Sequence, residues 1–514
     1  MEYDIIFVMG EVYFDHPLCG VALLKRLLEK NHYKVGVIEK PITEHELKVL
    51  GRPRLFFAVT SGAIDSMVRN YTPLKKKRSE DEYSDYDEEV PDRAVTVYCN
   101  WLKKNYKDIP LVIGGTEATL RRFVHYDYWQ NRLRKSILLD SRADLLVYGC
   151  GEKQILETAA RIKNGKNLEG IEGTCIVSRT LPEDFKDLPS EEEVIESKEK
   201  FCQMQMMLGN NNLAQKTGNR YVLQYQSPKY TPADLDEYYE LPFTREIPMK
   251  RLRSFEFSVV THRGCLGGCS FCAIKSIHGD KIVSRSEESI LREIKGFARY
   301  KHFKGNVDDL GGPSANMYGM DCNKCSKTNC IDCPSLDKSH SRLINLLRKA
   351  RTIPGIKKVN IRSGIRYDLA PKGYIKEVAE HHLYDTLRIA PEHSNEKILK
   401  LMNKDRGNLK EFINYFNSLK CGKELSFYYM TAHPGSSMKE AKELLTATRK
   451  MRILSLQIFT PTPMTLSTCM YYTGIDPKTM KQIYVPYSYR EKKDQKNIVL
   501  GVDSPSGFKQ VDLD

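Results

Sequence analysis

Hydrophobic and polar positions alternate along the first 180 residues in a pattern typical of strands separated by helices. Five short apolar runs are bounded by glycine, proline or charged residues, and apolar residues recur between them at helical spacing, as in residues 21–28. The predicted strands are residues 5–9, 35–38, 55–59, 111–113 and 145–147. Strands that alternate with helices predict an α/β fold, here a doubly wound parallel sheet over residues 1–180.

The pattern weakens over residues 181–254, where acidic and lysine-rich stretches with several prolines predict a connector on the surface of both domains. A second alternation then supplies six predicted strands, at residues 257–260, 307–310, 359–361, 387–389, 425–429 and 454–459. Six such units predict a partial (β/α)6 barrel of the TIM type over residues 255–475, with its chemistry at the carboxyl ends of the strands. The lysine-rich residues 476–514 predict an irregular basic tail.

Composition narrows the class of protein. Of the 514 residues, 41% are hydrophobic and 28% are charged, which is typical of a soluble globular protein. No apolar run is long enough to span a membrane, and the start of the chain lacks the pattern of a secretory signal, so we expect a cytoplasmic location. The net charge of +14 is compatible with an anionic substrate or partner but identifies none.

The 14 cysteines carry more information, because seven of them lie in two short bursts. The first burst follows the first predicted barrel strand and has the spacing Cys265-x3-Cys269-x2-Cys272 in a glycine-rich loop. Three thiolates at this spacing can bind three irons of a cubane cluster and leave the fourth iron open. A zinc knuckle is the alternative, with His262 or His278 as a fourth ligand.

With Phe271 directly before Cys272, this motif resembles the signature of the radical S-adenosylmethionine (radical SAM) superfamily. The resemblance implies a 4Fe-4S cluster whose open iron is chelated by SAM, and it implies that Phe271 lies near the adenine. One electron from the reduced cluster would cleave SAM to methionine and a 5'-deoxyadenosyl radical that abstracts hydrogen from a substrate. A low-potential electron donor such as a flavodoxin or ferredoxin would be the partner.

Other strand ends resemble the SAM pocket of that superfamily. Gly311 and Gly312 follow the second barrel strand, where the superfamily has a Gly-Gly-Glu-like turn that contacts the methionyl amino group. Pro313 replaces the usual acid, so backbone carbonyls would make that contact. Polar residues after the third and fourth strands are candidates for binding ribose and carboxylate, with ordinary loop residues as the alternative. The candidate cofactor-binding residues are Phe271, Gly311, Gly312, Arg362, Ser363, Arg366 and Glu392.

The resemblance extends to a particular family. Segments 8–11, 15–17, 61–68, 113–117 and 309–317 resemble the YgiQ-type family of uncharacterised radical SAM proteins. This match covers most of the chain and implies two domains, but it supplies neither a substrate nor a reaction.

The second burst places four thiols in two Cys-x2-Cys pairs, formed by Cys322, Cys325, Cys330 and Cys333. Such pairs are typical of a four-ligand metal site, and an auxiliary iron-sulfur cluster, zinc and unliganded thiols all remain open. Together with the charge of +14, they also favour an alternative function, a metal-stabilised nucleic-acid-binding protein.

The amino-terminal pattern resembles the cobalamin-binding domain that precedes the barrel in many radical SAM enzymes. Cobalt-ligating members have Asp-x-His-x2-Gly after the first strand, whereas Asp15 and His16 are adjacent here and the spacing to Gly20 is one residue too long. Histidine ligation is therefore not expected. Cobalamin held without histidine stays open beside a domain that only keeps the fold or binds substrate.

Overall fold

The structure, a computed structural model, describes residues 2–78, 90–322, 324–325 and 330–501. Its strands are β1 (Ile5–Met9), β2 (Val35–Glu39), β3 (Phe56–Thr60), β4 (Leu111–Gly114), β5 (His125–Asp127), β6 (Arg132–Arg134), β7 (Leu145–Val147), β8 (Thr174–Ser178), β9 (Lys186–Leu188), β10 (Leu213–Thr217), β11 (Arg220–Gln224), β12 (Ser258–Val260), β13 (His262–Arg263), β14 (Val283–Ser284), β15 (Asn306–Val307), β16 (Asp309–Gly311), β17 (Lys358–Val359), β18 (Thr386–Glu392), β19 (Glu424–Thr431), β20 (Ile453–Ile458), β21 (Ile475–Asp476) and β22 (Lys481–Gln482).

The α-helices are α1 (Gly20–Lys30), α2 (Ser66–Asn70), α3 (Ala94–Asn105), α4 (Gly115–Thr119), α5 (Ile137–Ser141), α6 (Glu152–Lys163), α7 (Glu191–Glu196), α8 (Lys198–Met207), α9 (Pro232–Tyr239), α10 (Ile274–His278), α11 (Glu287–Gly296), α12 (Ser341–Arg351), α13 (Lys372–His381), α14 (Glu396–Leu401), α15 (Leu409–Ser418), α16 (Met438–Thr448), α17 (Leu466–Thr473) and α18 (Tyr489–Val499).

The first sheet has a parallel half in the order β2-β1-β3-β4-β7. Helices cover both of its faces, so the central strand β1 is apolar and buried throughout. Ile6 and Val8 pack with α3 and α5 on one face, whereas Ile5 and Phe7 pack with α1 and α6 on the other. This arrangement confirms the predicted doubly wound α/β domain.

Residues 181–254 are part of the first unit, so the prediction that they form a surface connector is wrong. They contribute β9, β10 and β11, which extend the first sheet beyond β8 to a total of nine strands. β10 and β11 form a hairpin around Gly218, and Leu213, Val222 and Leu223 are buried in the cores of the first unit. Because β8 and β11 run antiparallel to their neighbours, the completed sheet is mixed.

The second unit contains all six predicted barrel strands in chain order. β12 pairs with β16, β15 pairs with β17, and β18, β19 and β20 form a continuous parallel ladder. The backbone N–H of Leu310 donates to the Asn360 carbonyl at 3.0 Å, and a bridge between Ile365 and Ile389 joins the third strand to the fourth. Among the strands that the structure describes, none links β20 back to β12, so the partial barrel is open.

The carboxyl-terminal residues are not an irregular tail throughout, contrary to the prediction. The helix α18 packs against α16 and β20, with Lys492, Gln495 and Val499 buried on one face. The Gln495 side chain accepts a hydrogen bond from the Ala432 backbone N–H at 3.0 Å, and Lys492 donates to the Tyr128 hydroxyl at 3.0 Å. Residues 502–514 of the predicted tail lie outside the described residues.

Side chains from the two units meet in a buried interface. Arg263 in β13 forms an ion pair of 2.6 Å with Glu152 at the start of α6. The thiol sulfurs of Cys202 in α8 and Cys469 in α17 lie 3.6 Å apart. In the described part of the chain, no helix combines the length and apolarity that crossing a membrane requires.

Candidate active site

The cysteine loop, residues 264–272, leaves the barrel beyond the carboxyl end of its first strand. β13 continues from β12 and pairs with β14, which brings residue 264 against the backbone of Lys281. Gly264 has a φ of +89°, and a Cβ at this position would overlap the Lys281 carbonyl oxygen. Glycine alone satisfies both constraints, so Gly264 fixes the path by which the chain enters the loop.

Other elements of the barrel hold the loop through its backbone. The Asn403 amide donates to the Gly268 carbonyl at 2.8 Å. The backbone N–H of Ser270 donates to the Met402 carbonyl at 2.9 Å, and the Ser270 carbonyl accepts from the backbone N–H of Ser467 at 2.9 Å. The end of α14 and the start of α17 therefore position the segment that carries the three thiols.

The thiols of Cys265, Cys269 and Cys272 are partly buried and influence one another. Burial and, to a lesser degree, the neighbouring charge of Cys269 together raise the pKa of Cys272 to about 12. Burial likewise raises the pKa of Cys265. Three thiolates this close become favourable when cationic iron offsets their charge.

The three thiols match the protein ligands of a cubane cluster in number and type. Over residues 2–78, 90–322, 324–325 and 330–501, no three His, Cys, Asp or Glu side chains converge to hold one metal ion. A cubane cluster does not require such convergence, because each thiolate binds a different iron.

Arg366 lies against the cysteine loop. Its Nη1 is 3.5 Å from the Cys269 sulfur, and its guanidinium is paired with Asp368. A Cβ on Gly267 would overlap this guanidinium, so a glycine there leaves room for it. Asn316 fixes the backbone of Arg366 from both sides, since its Oδ1 accepts at 2.8 Å and its Nδ2 donates at 3.0 Å. Arg366 thus supplies a fixed positive charge beside the thiols.

Glu392 ends β18 and is buried next to the same group of charges. Its carboxylate lies 3.8 Å from the Lys404 ammonium, while its Oε2 has no hydrogen-bond partner within the described residues. Burial raises the pKa of Glu392 to about 7, and the positive charges of Lys404 and Arg366 limit that rise. A carboxyl group with an unused oxygen is available for a polar ligand.

Gly311 and Gly312 lie at the carboxyl end of the second barrel strand, beside the first. The Gly311 carbonyl accepts a hydrogen bond from the backbone N–H of Thr261 at 2.8 Å. Gly312 packs against the ring of His262, whose Nε2 is buried without a hydrogen-bond partner among the described residues. Burial lowers the pKa of His262 to about 4, which keeps the ring neutral.

Ser363 and Arg362 follow the third strand but point to different partners. Ser363 donates to the carboxylate of Asp309, which also accepts from the backbone N–H of Arg362 at 2.8 Å. The Arg362 guanidinium instead donates to the Ser254 carbonyl at 2.6 Å and lies 4.8 Å from the centre of the Phe255 ring. The charge of Arg362 is therefore engaged away from the cysteine loop.

Several residues of the site escape sequence reasoning. Asp368, Asn316 and Asn403 position Arg366 or the loop, and His433 lies edge-on to Phe271 with 6.5 Å between ring centres. Asp368 could have been found from its position two residues after an arginine candidate. Asn316 lies in segment 309–317, which resembles the YgiQ-type family, and His433 lies in residues 426–437, which resemble a strand end of the superfamily. Asn403 is a single polar residue whose partner lies far away in the chain, so no local pattern indicates it.

The second cysteine burst lies beside the first. Cys330 is buried in an apolar cluster, and the Lys281 ammonium lies 3.0 Å from its sulfur. The other thiols that pack against this cluster are Cys265, Cys322 and Cys333. Cys325 is exposed, and residues 323 and 326–329 lie outside the described residues. The two bursts thus share one small apolar core.

His16, the histidine nearest the position of the axial ligand in cobalt-ligating domains, is engaged within the protein. His16 is fully buried, its Nε2 donates to the Glu256 carbonyl at 2.9 Å, and its Nδ1 accepts from the backbone N–H of Leu18 at 3.1 Å. Both ring nitrogens are therefore engaged within the protein. The residues present do not fit a histidine-ligated cobalamin.

Comparison with known proteins identifies the class that this fold and site define. Residues 1–255 match the family model for the radical SAM N-terminal region, and residues 259–447 match the model for the radical SAM superfamily. The protein is a radical SAM enzyme, a class that uses a 4Fe-4S cluster and SAM. The prediction of an enzyme is confirmed, and the alternative of a protein that only binds nucleic acid is set aside.

Two relatives define the family more closely. The UPF0313 protein MJ1155 of Methanocaldococcus jannaschii is 44% identical over 99% of this chain and 92% of its own length. The UPF0313 protein FN0734 of Fusobacterium nucleatum is 39% identical over 96% of this chain and 95% of its own length. The chain belongs to the UPF0313 family, which confirms the predicted resemblance to an uncharacterised radical SAM family.

Solved structures support the fold. The radical SAM methyltransferase TsrM from Kitasatospora setae, solved with tryptophan and a SAM analogue, is similar with a TM-score of 0.57. It is 13% identical, and the match covers 91% of this chain and 76% of TsrM. The cobalamin-dependent radical SAM enzyme OxsB matches with a TM-score of 0.52 and 13% identity, over 91% of this chain and 55% of OxsB. Both support the α/β unit followed by a radical SAM barrel.

Proposed function

We propose that this enzyme reductively cleaves SAM at a 4Fe-4S cluster held by Cys265, Cys269 and Cys272 and abstracts hydrogen from a substrate. The observation that carries the proposal is the cysteine loop itself, which presents three mutually interacting thiols at the carboxyl end of the first barrel strand. When bound, the cluster supplies one electron that splits SAM into methionine and a 5'-deoxyadenosyl radical, which takes a hydrogen atom from the substrate.

The residues around the loop orient and shield the bound groups. Arg366, fixed by Asp368, places a positive charge beside the Cys269 sulfur. Glu392 offers a carboxyl oxygen from a buried position, where water competes little for its hydrogen bonds. We assign Glu392 to a polar group of SAM or substrate and Arg366 to the cluster loop.

The remaining candidates divide by their contacts. We assign Phe271 to the adenine, and we assign Gly311 and Gly312 to the methionyl end of SAM, because they lie at neighbouring strand ends. Ser363 is assigned to the same pocket. Arg362 is left out of the proposed pocket because its guanidinium is bonded to the Ser254 carbonyl.

The test is the formation of 5'-deoxyadenosine. The protein is purified without oxygen, reduced with dithionite in the presence of SAM, and analysed by mass spectrometry beside the Cys269→Ala variant. Cys421→Ala is the matched control, because Cys421 is also partly buried but lies outside both bursts. We expect product from the wild type and the control, and none from Cys269→Ala. A cluster-loaded wild type that yields no 5'-deoxyadenosine would refute the proposal.

We assign an auxiliary iron-sulfur cluster to the second burst. The support is the shared apolar core, which puts the two cysteine segments next to each other. An auxiliary cluster there could pass electrons toward the first. Iron and zinc are quantified in the Cys322→Ala/Cys325→Ala variant. Loss of iron supports the cluster, loss of zinc supports a structural zinc site instead, and unchanged metal content contradicts both.

The electron must come from outside the chain. We propose a low-potential donor such as a flavodoxin or ferredoxin, and a cytoplasmic location, where reducing conditions keep thiols free. Reduction by a purified flavodoxin system in place of dithionite tests the choice of donor through the same 5'-deoxyadenosine assay.

A further inference from the structure

Arg122 is a buried arginine that has no acidic partner among the described residues. Arg122 lies three residues after the end of α4 in the first unit, and it is 5% exposed. Within the described residues, no carboxylate forms an ion pair with it. The buried arginines that do pair with Asp or Glu are Arg121, Arg245, Arg263, Arg285 and Arg366. Burying an unpaired charge is costly, so it calls for an explanation.

Neutral groups hold the Arg122 guanidinium in place. Its Nε donates to the Gln224 amide oxygen at 2.6 Å, and its Nη1 donates to the Thr119 carbonyl at 2.7 Å. The Gln224 amide is itself fixed, because its Nε2 donates to two backbone carbonyls at 2.9 Å. The Tyr148 ring centre lies 5.0 Å from the guanidinium. Nη2 makes no hydrogen bond within the described residues, so a fixed cation retains unused donors.

Arg122 lies between the two units and near the cysteine loop. On the side of the first unit, Thr119 accepts a hydrogen bond from the Gly149 backbone N–H at 3.2 Å. A Cβ on Gly149 would lie 3.5 Å from the carbonyl oxygen of Ile277, in the helix α10 that follows Cys272.

Contacts of Arg122 with the barrel also connect it to the cysteine loop. Arg122 Nη1 lies 3.0 Å from the Met464 sulfur, in the segment between the last barrel strand and α17. Three residues further on, the backbone N–H of Ser467 donates to the carbonyl of Ser270, which lies between two of the candidate cluster ligands. Thr119 in the first unit and Met464 in the second, which both contact Arg122, are therefore each connected through one further residue to residues 269–277.

We propose that Arg122 binds the oxyanion, a carboxylate or a phosphate, of a small-molecule substrate where the two units meet. The inference rests on the proposed function, since it concerns the substrate on which the radical would act. A guanidinium favours both oxyanions because its N–H donors match their paired oxygens. The low exposure of Arg122 restricts the ligand to a small molecule, because a polymer backbone could not reach it. The oxyanion would supply the negative charge that no described residue supplies to Arg122.

The probes are inorganic phosphate and acetate, titrated separately into the cluster-loaded protein at constant ionic strength. Thermal unfolding is followed at each concentration, and the rise of the midpoint gives an apparent Kd, since a ligand of the folded state stabilises it. The variants are Arg122→Gln and Arg122→Lys. Arg292→Gln is the control, because it removes one positive charge from an exposed pair with Glu240.

We expect a saturable rise of the midpoint in the wild type and in Arg292→Gln. In Arg122→Gln the apparent Kd should rise at least about tenfold, and Arg122→Lys should fall between the two. A response to phosphate alone assigns a phosphate, and a response to acetate alone assigns a carboxylate. The same titration in Arg122→Lys keeps the test valid if Arg122→Gln does not fold.

Equal responses in the wild type and the Arg122 variants, or no response to either anion, would overturn the proposal. Cleavage of SAM in the absence of substrate is measured on the same wild-type preparation, so that failure of the anion site can be told apart from failure of the proposed function. Cleavage without an Arg122-dependent anion effect refutes only the anion site, whereas an absence of cleavage refutes the function on which it rests.

Discussion

Replacing Glu392 with glutamine should stabilise the protein, and the gain should grow with pH. Burial raises the pKa of Glu392 from 4.5 to about 7, so the folded state favours the neutral carboxyl group more than the unfolded chain does. The folded wild type therefore loses stability as the pH rises from about 4.5 to about 7, and the loss is complete above that range. Glutamine has a similar shape but does not ionise, so it does not incur this cost.

The shift sets the size of the effect. One pKa unit corresponds to ~1.4 kcal/mol, so the carboxylate costs ~1 kcal/mol at pH 5 and ~3 kcal/mol at pH 8. Lost attraction to Lys404 offsets part of the gain in Glu392→Gln, but that loss does not reverse its dependence on pH. The advantage of Glu392→Gln should be ~2 kcal/mol larger at pH 8 than at pH 5, or ~4–8 °C in midpoint for a unit of this size.

Thermal unfolding of metal-free wild type and Glu392→Gln, compared under argon at pH 5, 6, 7 and 8, measures this difference. Glu396→Gln is the control, because it makes the same substitution four residues away, at the start of the next helix. A Glu392→Gln advantage that stays constant between pH 5 and pH 8 would refute the reasoning.

Three further outcomes are expected. Gly264→Ala should lower the iron content of the purified protein severalfold, because a Cβ would overlap the Lys281 carbonyl; iron content equal to wild type contradicts this. Burial lowers the pKa of Lys492 to about 8, so the folded wild type gains stability between about pH 8 and 10, where its amine loses the proton. Lys492→Met should lack this gain, and stability profiles of wild type and variant that run parallel over this range would contradict the prediction. Oxidised glutathione should form a disulfide between Cys202 and Cys469, because their sulfurs are 3.6 Å apart and the hydrogen bond from the Cys469 thiol lowers the pKa of Cys202 to about 7. Peptide mass spectrometry detects this disulfide, and two free thiols after the treatment would contradict the prediction.

The elements that could be predicted from the sequence have local signals. The six barrel strands are short apolar runs, and the cysteine loop combines close thiols with glycines, so neither depends on distant partners. The edge strand β9 could not be found in this way, because two of its three residues, Lys186 and Asp187, are exposed and only Leu188 is buried. The hairpin of β10 and β11 carried a signal at Gly218 that the surrounding polar residues obscured.

The remaining differences between the predicted and the observed structure involve polar side chains that are buried. The buried face of α18 includes Lys492 and Gln495, which hydrophobic periodicity does not detect. Arg122 gives no signal either, since its partners Gln224 and Met464 lie 102 and 342 residues away in the chain. Residues of this kind acquire their role only when the two units are brought together.

The ion pair between Arg263 and Glu152 decides how the enzyme can be divided for study. A truncation near residue 255 would remove the Glu152 carboxylate and the Tyr239 ring, which both contact the Arg263 guanidinium two residues before Cys265. The strand that leads into the cysteine loop would then lose both its ion pair and the surface that buries it. A minimal catalytic fragment of this enzyme must therefore keep the amino-terminal unit, even if that unit takes no part in the chemistry.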